Sequence, residues 1–350
     1  MNVKKIISII AVLALIVGFV LGFRVYQKVF KPNTNFSDAS VYVFIPSGSE
    51  FSDVKEILKP YVDRMDDFVF SAESRGYDRE VFYGKFQIKN GMNNFAILSA
   101  LKQNLPVKLS FNNQETLEKF AERIDQQLEP TKEEFLAAFK DTVFLRENGF
   151  NEENILAMFI PNTYEFYWNV SETKFRDRLS KEYRKFWNEE RLAKAKEINL
   201  TPIEVSILAS IVHKETVKTD ERPRVAGAYM NRLKMGMPLQ ADPTVIYAVK
   251  KESGDFDQVI KRVLYGDLKV NSPYNTYMNI GLPPGPIAMP DITAIDAVLN
   301  YEKHDYIYFC ASVEKFGYHE FASNLKDHGL NRKKYVEWIE KQNYTRDTVK

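Results

Sequence analysis

Residues 6–23 read IISIIAVLALIVGFVLGF, 18 consecutive positions without a charge. A bilayer core of ~30 Å takes about 20 apolar residues in one helix, because a helix satisfies its own backbone in hydrocarbon. Lys4 and Lys5 precede the run, and Arg24, Lys28 and Lys31 follow it, so the flanking charges are not decisive for orientation. No small-residue cleavage pattern follows, and no cysteine sits nearby to carry a lipid. Both observations favour an uncleaved single-span anchor over a removed signal peptide. Every later segment is too polar to span. The expectation is a single pass, with the N-terminal lysines in the cytoplasm and residues 32–350 on the outer side of the membrane.

The remainder has the makeup of a packed globular body. At 350 residues the chain has room for roughly two domains of about 150 residues. Hydrophobic residues make up 45% and charged residues 27%, which excludes a disordered tail, a collagen-like fibre and a coiled-coil rod. Lys and Arg total 48 against 47 Asp and Glu, so no basic excess points to a nucleic-acid partner. The single cysteine, Cys310, excludes an internal disulfide framework, a Cys-rich zinc site and an iron–sulfur cluster. His213, His304, His319 and His328 form no HExxH pattern.

After a polar linker at 32–40, the body divides near residues 105 and 150. Val41–Ile45, rich in β-branched and aromatic residues, reads as a strand. An amphipathic run follows, with Phe51, Val54, Ile57 and Leu58 on one face and Pro60 at its end. Tyr83–Ile88 repeats the strand pattern, and Phe95, Ile97, Leu98 and Leu101 follow at helical spacing. A β-α-α-β-α module over 41–105 fits. A third strand, Val107–Phe111, leads to a helix over Gln114–Leu128 with a cap at Asn112 or Asn113. Residues 130–200 are helical and charged, except for a loop at Phe159–Phe166. The C-terminal third holds helices at 202–217 and 222–234, a Pro/Gly-rich loop at 271–290, a hairpin from Tyr306–Ala311 to Tyr318–Ala322, and a last helix beginning near Asn331.

Three features carry chemistry. In the 202–217 helix, Thr201 caps and Pro202 takes the first helical position. Leu208, Ile211 and Val212 share one face, and Glu215 falls on that face at i+7, i+4 and i+3. A carboxyl at the edge of an apolar stripe is desolvated and its pKa rises, which equips it as a proton donor near neutral pH. The pattern equally fits a Glu that leaves the stripe for solvent at the helix end. His213 and Lys214 point elsewhere, His213 in an exposed or capping role. Second, Asp242 before Pro243 reads as a helix N-cap, and Gln240 lies in the connection just ahead of it. Third, the loop from Asn271 to Pro290 has five prolines from Pro273 onward, each fixing its φ. A stiff loop of this length suits either a structural lid or a binding surface, on which Tyr and Asn would stack on and hydrogen-bond a neutral polar ligand such as a sugar.

These segments carry a resemblance. Leu208-Ala209-Ser210-Ile211-Val212-His213-Lys214-Glu215-Thr216, Asn231-Arg232-Leu233, Gly236–Tyr247, Tyr274-Asn275-Thr276-Tyr277 and Gly281–Ile287 together resemble the YceG-like endolytic murein transglycosylases in order and spacing. Phe159–Tyr164 resembles a further block of that family. The resemblance covers roughly residues 40–340. It implies an α+β protein with one N-terminal transmembrane helix (1–31, including the cytoplasmic tip) and a small LysM-like α/β module at 41–105. A mixed helical/β catalytic domain with a C-terminal hairpin would follow at 106–345. It also implies an inner-membrane location, facing the periplasm or cell exterior. Two positions depart from the family pattern: His213 stands where many members carry an acid, and Asn162 replaces a common Asp.

Glu215 matches the family's catalytic acid. The resemblance implies that it protonates the glycosidic oxygen between MurNAc and GlcNAc in peptidoglycan, and that the MurNAc C6 hydroxyl attacks its own C1. Gln240, Asp242, Tyr274, Asn275, Thr276 and Tyr277 are the candidate substrate-binding residues. No cofactor or metal is implied. The partners implied are glycan strands, the membrane and cell-wall synthases, with no nucleic acid. Two other classes stay open: a non-catalytic wall-binding protein, and a two-carboxylate hydrolase with Asp242 or Glu221 as the second acid.

Overall fold

The computed structural model describes residues 3–341, which form two compact units. The first comprises residues through Leu109 together with Gln127–Pro130 and Tyr164–Ser171. The second holds Ser110–Gln126, Thr131–Thr163 and the chain from Glu172 onward. The expected domain end at 345 lies outside the described residues.

The first unit begins with α1 (Val3–Phe30), whose residues are all outside any core. Among the described residues it is the one helix long and apolar enough to cross a membrane. Then come β1 (Ser40–Ile45), α2 (Phe51–Leu58), α3 (Met65–Ser74), β2 (Gly84–Lys89) and α4 (Asn94–Ala100), in the β-α-α-β-α order the sequence predicts. β1 and β2 pair antiparallel, from Ser40 opposite Lys89 to Ile45 opposite Gly84. Strand alternation sends Val43, Ile45, Phe86 and Ile88 inward, where Val54 and Leu58 of α2 and Phe68 and Ala72 of α3 cover them. Asn93 caps α4 by accepting from the Ala96 N–H. Buried Asn94 donates to the Lys28 carbonyl at 2.7 Å, which ties the end of α1 to this unit.

Next come β3 (Pro106–Ser110), α5 (Leu117–Asp125), α6 (Lys132–Phe139), α7 (Thr142–Glu147) and β4 (Thr163–Tyr167). β4 pairs with β3 where the sequence predicts only a loop. Pro161 and Asn162 hide a short alternating stretch, Thr163-Tyr164-Glu165-Phe166, from a pattern search. α5 also starts later than predicted. Thr116 is its cap, accepting from the Lys119 N–H at 3.1 Å, while Asn112 instead accepts from the Gln114 side chain at 2.7 Å.

The second unit continues with α8 (Glu172–Phe186), α9 (Glu189–Glu197), α10 (Pro202–Glu215), α11 (Arg222–Lys234), α12 (Asp242–Ser253), α13 (Ile292–Leu299), β5 (Tyr308–Ala311), β6 (His319–Ala322) and α14 (Leu325–Lys341). α10 is its central rod. Thr201 and Glu204 form a reciprocal capping box and Pro202 opens the first turn. Val205 through Val212 are all buried, so the helix is covered on every side and not along one stripe. Val225, Ala226, Tyr229 and Met230 of α11, Tyr247 and Ala248 of α12, and Ala294, Ile295 and Val298 of α13 complete the core. β5 and β6 pair antiparallel, from Tyr308 opposite Ala322 to Ala311 opposite His319.

Candidate active site

Glu215 is the last residue of α10, where the rod leaves the core. It is half-buried, and its Oε2 accepts a hydrogen bond from the hydroxyl of fully buried Tyr229 on α11, at 3.1 Å. Burial raises its pKa. The positive charge of His319 and the Tyr229 hydrogen bond pull it down, the Asp242 carboxylate pushes it up, and Arg232 pulls it down. The net shift is upward. The carboxyl therefore holds its proton to a higher pH than an exposed Glu does, as a general acid requires.

Four elements beyond α10 supply the surroundings. Tyr229 and Arg232 come from α11. Arg232 is buried, with its guanidinium donating to the carbonyls of Ile307 and Leu239, so it fastens α11 to the segments on either side. Asp242 begins α12, Tyr277 comes from the proline-rich loop and His319 from β6.

Asp242 is not the cap the sequence predicts. Ala241 holds the cap position in extended backbone, with no side-chain bond, and Asp242 is the first helical residue. Its carboxylate stays exposed and accepts from the Tyr277 hydroxyl at 2.6 Å, a partner 35 residues away. Tyr277 is half-buried, and its own ionisation is suppressed by burial and by the charges of Asp242 and Glu215. Gln240 is exposed and has φ +48°, a left-handed backbone that non-glycine residues seldom adopt. Its N–H donates to the Thr276 carbonyl at 3.0 Å, and the Ala241 N–H donates to the Thr276 hydroxyl at 3.0 Å. Such strain, held by the surrounding structure, is characteristic of binding and catalytic segments.

The proline-rich loop divides into two kinds of residue. Tyr274, Asn275 and Thr276 were expected to offer their side chains to sugar, but all three are buried. The Tyr274 hydroxyl donates to Glu153 at 2.7 Å and its ring lies 4.7 Å from that of Tyr247. The Asn275 amide donates to the Leu268 and Val270 carbonyls, and its oxygen accepts from the Tyr277 N–H. The Thr276 hydroxyl meets that of Thr244 at 2.8 Å. These side chains brace the loop, while Asp242 and Tyr277, which both act electrostatically on Glu215, and Gln240 just ahead of Asp242 keep their side chains at least partly exposed. Pattern reading missed this because Tyr and Asn in a loop look alike whether buried or exposed.

His213 and Lys214 turn away from Glu215. His213 lies 3.2 Å from Asp291 in a cluster with buried Arg222. Lys214 joins Lys250 on Glu115, at 2.6 and 2.9 Å, beside a cavity of about 370 Å³ that Ile246, Tyr247 and Phe256 also line.

The sequence pattern gives Tyr229 a packing role and His319 only a place in a hairpin. Neither has a local signal, since Tyr229 bonds Glu215 and His319 acts on it electrostatically only through tertiary packing. Glu221, the alternative second acid, is almost wholly buried with both oxygens engaged, by the His319 N–H and ring and by the Thr216 hydroxyl.

This geometry can be set beside known proteins. The chain is 30% identical to an endolytic murein transglycosylase of Bacillus subtilis over 343 residues, 92% of this chain and 91% of that one. It is 38% identical to an endolytic murein transglycosylase of Streptococcus pneumoniae over 138 residues, 39% of this chain and 24% of that protein. A 2.6 Å crystal structure of a yceG-like protein from Listeria monocytogenes matches with a TM-score of 0.57 at 28% identity, covering 84% of this chain and 99% of that one. The YceG-like family profile matches residues 43–334, most of the chain, and with the Bacillus relative it establishes that this protein belongs to the YceG-like family.

Proposed function

We propose that this protein is a membrane-anchored endolytic lytic transglycosylase of peptidoglycan, with Glu215 as its single acid/base. The observation that carries this is the environment of Glu215: a half-buried carboxyl with a raised pKa, held by Tyr229 at the end of the core helix. Protonated Glu215 gives its proton to the MurNAc–GlcNAc glycosidic oxygen as the bond to MurNAc C1 breaks. The C6 hydroxyl of the same MurNAc attacks C1, and the Glu215 carboxylate takes its proton. The enzyme returns to its starting state and the strand ends in 1,6-anhydroMurNAc. The attacking hydroxyl belongs to the substrate, so its effective molarity replaces a second catalytic carboxylate and a bound water.

Asp242 and Tyr277, which act electrostatically on Glu215, and Gln240 just ahead of Asp242 orient the sugars. The β-α-α-β-α module of the first unit is LysM-like and adds a second glycan contact. α1 is an uncleaved anchor that puts the body outside the cytoplasmic membrane, where nascent strands and the synthases that make them are within reach.

One observation favours a two-carboxylate hydrolase instead: exposed Asp242 acts electrostatically on Glu215. Mass spectrometry of defined glycan strands digested by the full-length, detergent-solubilised protein separates the classes. Transglycosylation gives anhydro ends, which Asp242→Asn still forms and Glu215→Gln does not. Reducing ends that vanish in Asp242→Asn identify a hydrolase. Binding with no cleavage identifies a wall-binding protein.

A further inference from the structure

Around Glu215 the second unit closes a ring of contacts. Thr216, the next residue, donates its hydroxyl to Glu221 Oε2 at 3.0 Å. Glu221 Oε2 also lies 2.9 Å from His319 Nδ1, and Glu221 Oε1 accepts the His319 N–H at 2.7 Å. The His319 ring packs edge-on to Phe309 at 5.2 Å, and Phe309 packs edge-on to Tyr229 at 5.5 Å. The Tyr229 hydroxyl returns to Glu215.

We propose that His319, held by Glu221, is a positioning residue for the reaction: it places a positive charge opposite the Glu215 carboxylate at the moment that carboxylate forms. The inference rests on Glu215 being the acid.

A buried carboxylate is tolerated when paired and hydrogen-bonded, and Glu221 meets that condition through His319 and Thr216. An ionised carboxylate only accepts, so His319 Nδ1 carries a hydrogen and the ring orientation is fixed. Burial pushes the His319 pKa down, but the bond and charge of Glu221 and the charge of Glu215 outweigh it, and the net shift is upward. Through Phe309 and Tyr229 the imidazolium is two packing contacts from the Glu215 hydrogen bond, and its charge acts on Glu215 together with Tyr229 and Arg232 from α11, Asp242 from α12 and Tyr277 from the proline-rich loop. Burial and Asp242 alone would make Glu215 reluctant to release its proton. His319 offsets them, so the group is acidic enough to donate and basic enough to recover the proton. Glu221 and His319 both act through Glu215 and touch no substrate.

The test is the pH profile of kcat/KM for anhydro-end formation by the full-length protein in detergent. Removing an opposite charge at close range raises a carboxyl pKa by about one unit or more. His319→Gln is therefore expected to shift the alkaline limb upward by about one unit and to lower kcat. Glu221→Gln moves the limb the same way, because burial, no longer opposed by Glu221, makes His319 lose its proton at a lower pH than in wild type. The double variant moves it no further than His319→Gln alone.

An unmoved limb in His319→Gln overturns the inference, provided Glu215→Gln is inactive in the same assay. An active Glu215→Gln instead overturns the underlying assignment of the acid. A limb moving toward acid in Glu221→Gln also overturns the inference, since it places Glu221's own charge on Glu215. Ring ¹⁵N shifts of His319 in the wild-type protein need no variant to fold: an imidazolium at pH 7 is expected, and a neutral ring at pH 7 overturns the proposal.

Discussion

The hydroxyl of Tyr229 donates to Glu215 across 3.1 Å, joining the core of α11 to the end of α10. Tyr229 is fully buried, so its hydroxyl approaches the half-buried Glu215 from the core side. Tyr229→Phe keeps the ring against Phe309 and deletes only the donor. A hydrogen bond to a charged group contributes about 1.5–3 kcal/mol, so kcat/KM on the plateau below the alkaline limb, where Glu215 starts protonated, should fall about tenfold or more. The bond favours the carboxylate, so its loss should also move the alkaline limb upward. Steady-state kinetics across pH check both effects, and a profile identical to wild type would show that Tyr229 only packs.

Glu215→Gln should stabilise the fold while removing activity. Its folded pKa is raised above the ordinary 4.5, chiefly by burial. The linkage sign follows: stability is full while the group is protonated, below its unfolded value, and is lost as pH rises through the folded value. Gln carries no such penalty. The variant should therefore melt above wild type at pH 7, with the gap closing as pH falls toward 4.5. Thermal melts at several pH values measure it, and a gap that widens toward acid would contradict the sign.

The local features of this site were legible in the chain, and the non-local ones were not. Thr201, Pro202 and the apolar spacing of α10 lie within a few residues of one another, and they place Glu215 at the helix end from pattern alone. The motifs from Leu208 to Ile287 also carry the family resemblance that the profile over 43–334 bears out. Asp242-Pro243 looks like a cap by the same local logic, yet Tyr277 takes the carboxylate from across the fold. Tyr229 bonds Glu215, and His319 joins it through Phe309 and Tyr229, only because α11 and the β5–β6 ribbon pack there, which no spacing rule encodes. β4 escaped for a different reason, since five residues after a proline are too few for a period to register.

The proline-rich loop gives a paired test of the difference between bracing and contact. Tyr274 is 1% exposed, packed on Tyr247 and bonded to Glu153. Truncating a buried aromatic costs about 3–5 kcal/mol, so Tyr274→Ala should lower the melting temperature strongly and lose activity through unfolding. Tyr277 is half-buried, with its hydroxyl on exposed Asp242. Tyr277→Phe should leave the melting temperature within a degree or two and change KM or kcat. Calorimetry beside kinetics separates them, and a stable, slow Tyr274→Ala would return that residue to the substrate surface.

The last prediction concerns Arg222, which is 3% exposed and donates to both oxygens of Asp291 at 2.7 and 2.8 Å. Asp291 also approaches His213 at 3.2 Å and caps α13 by accepting from the Ala294 N–H at 2.8 Å. Burial pushes its pKa up, but the bonds from His213, Arg222, Thr293 and Ala294 prevail and hold the carboxyl far below the ordinary 3.8. A depressed pKa contributes stability that is present above the unfolded value and lost as pH falls through the folded one. Asp291→Asn leaves the guanidinium buried without its counter-charge, which costs about 3–5 kcal/mol. Denaturant unfolding at pH 7 should show that loss. Wild type should fall toward the variant as pH drops below 3.8, because the variant lacks this titration. A constant difference between the two from pH 7 to pH 2 would mean that Asp291 acts by packing and not by charge.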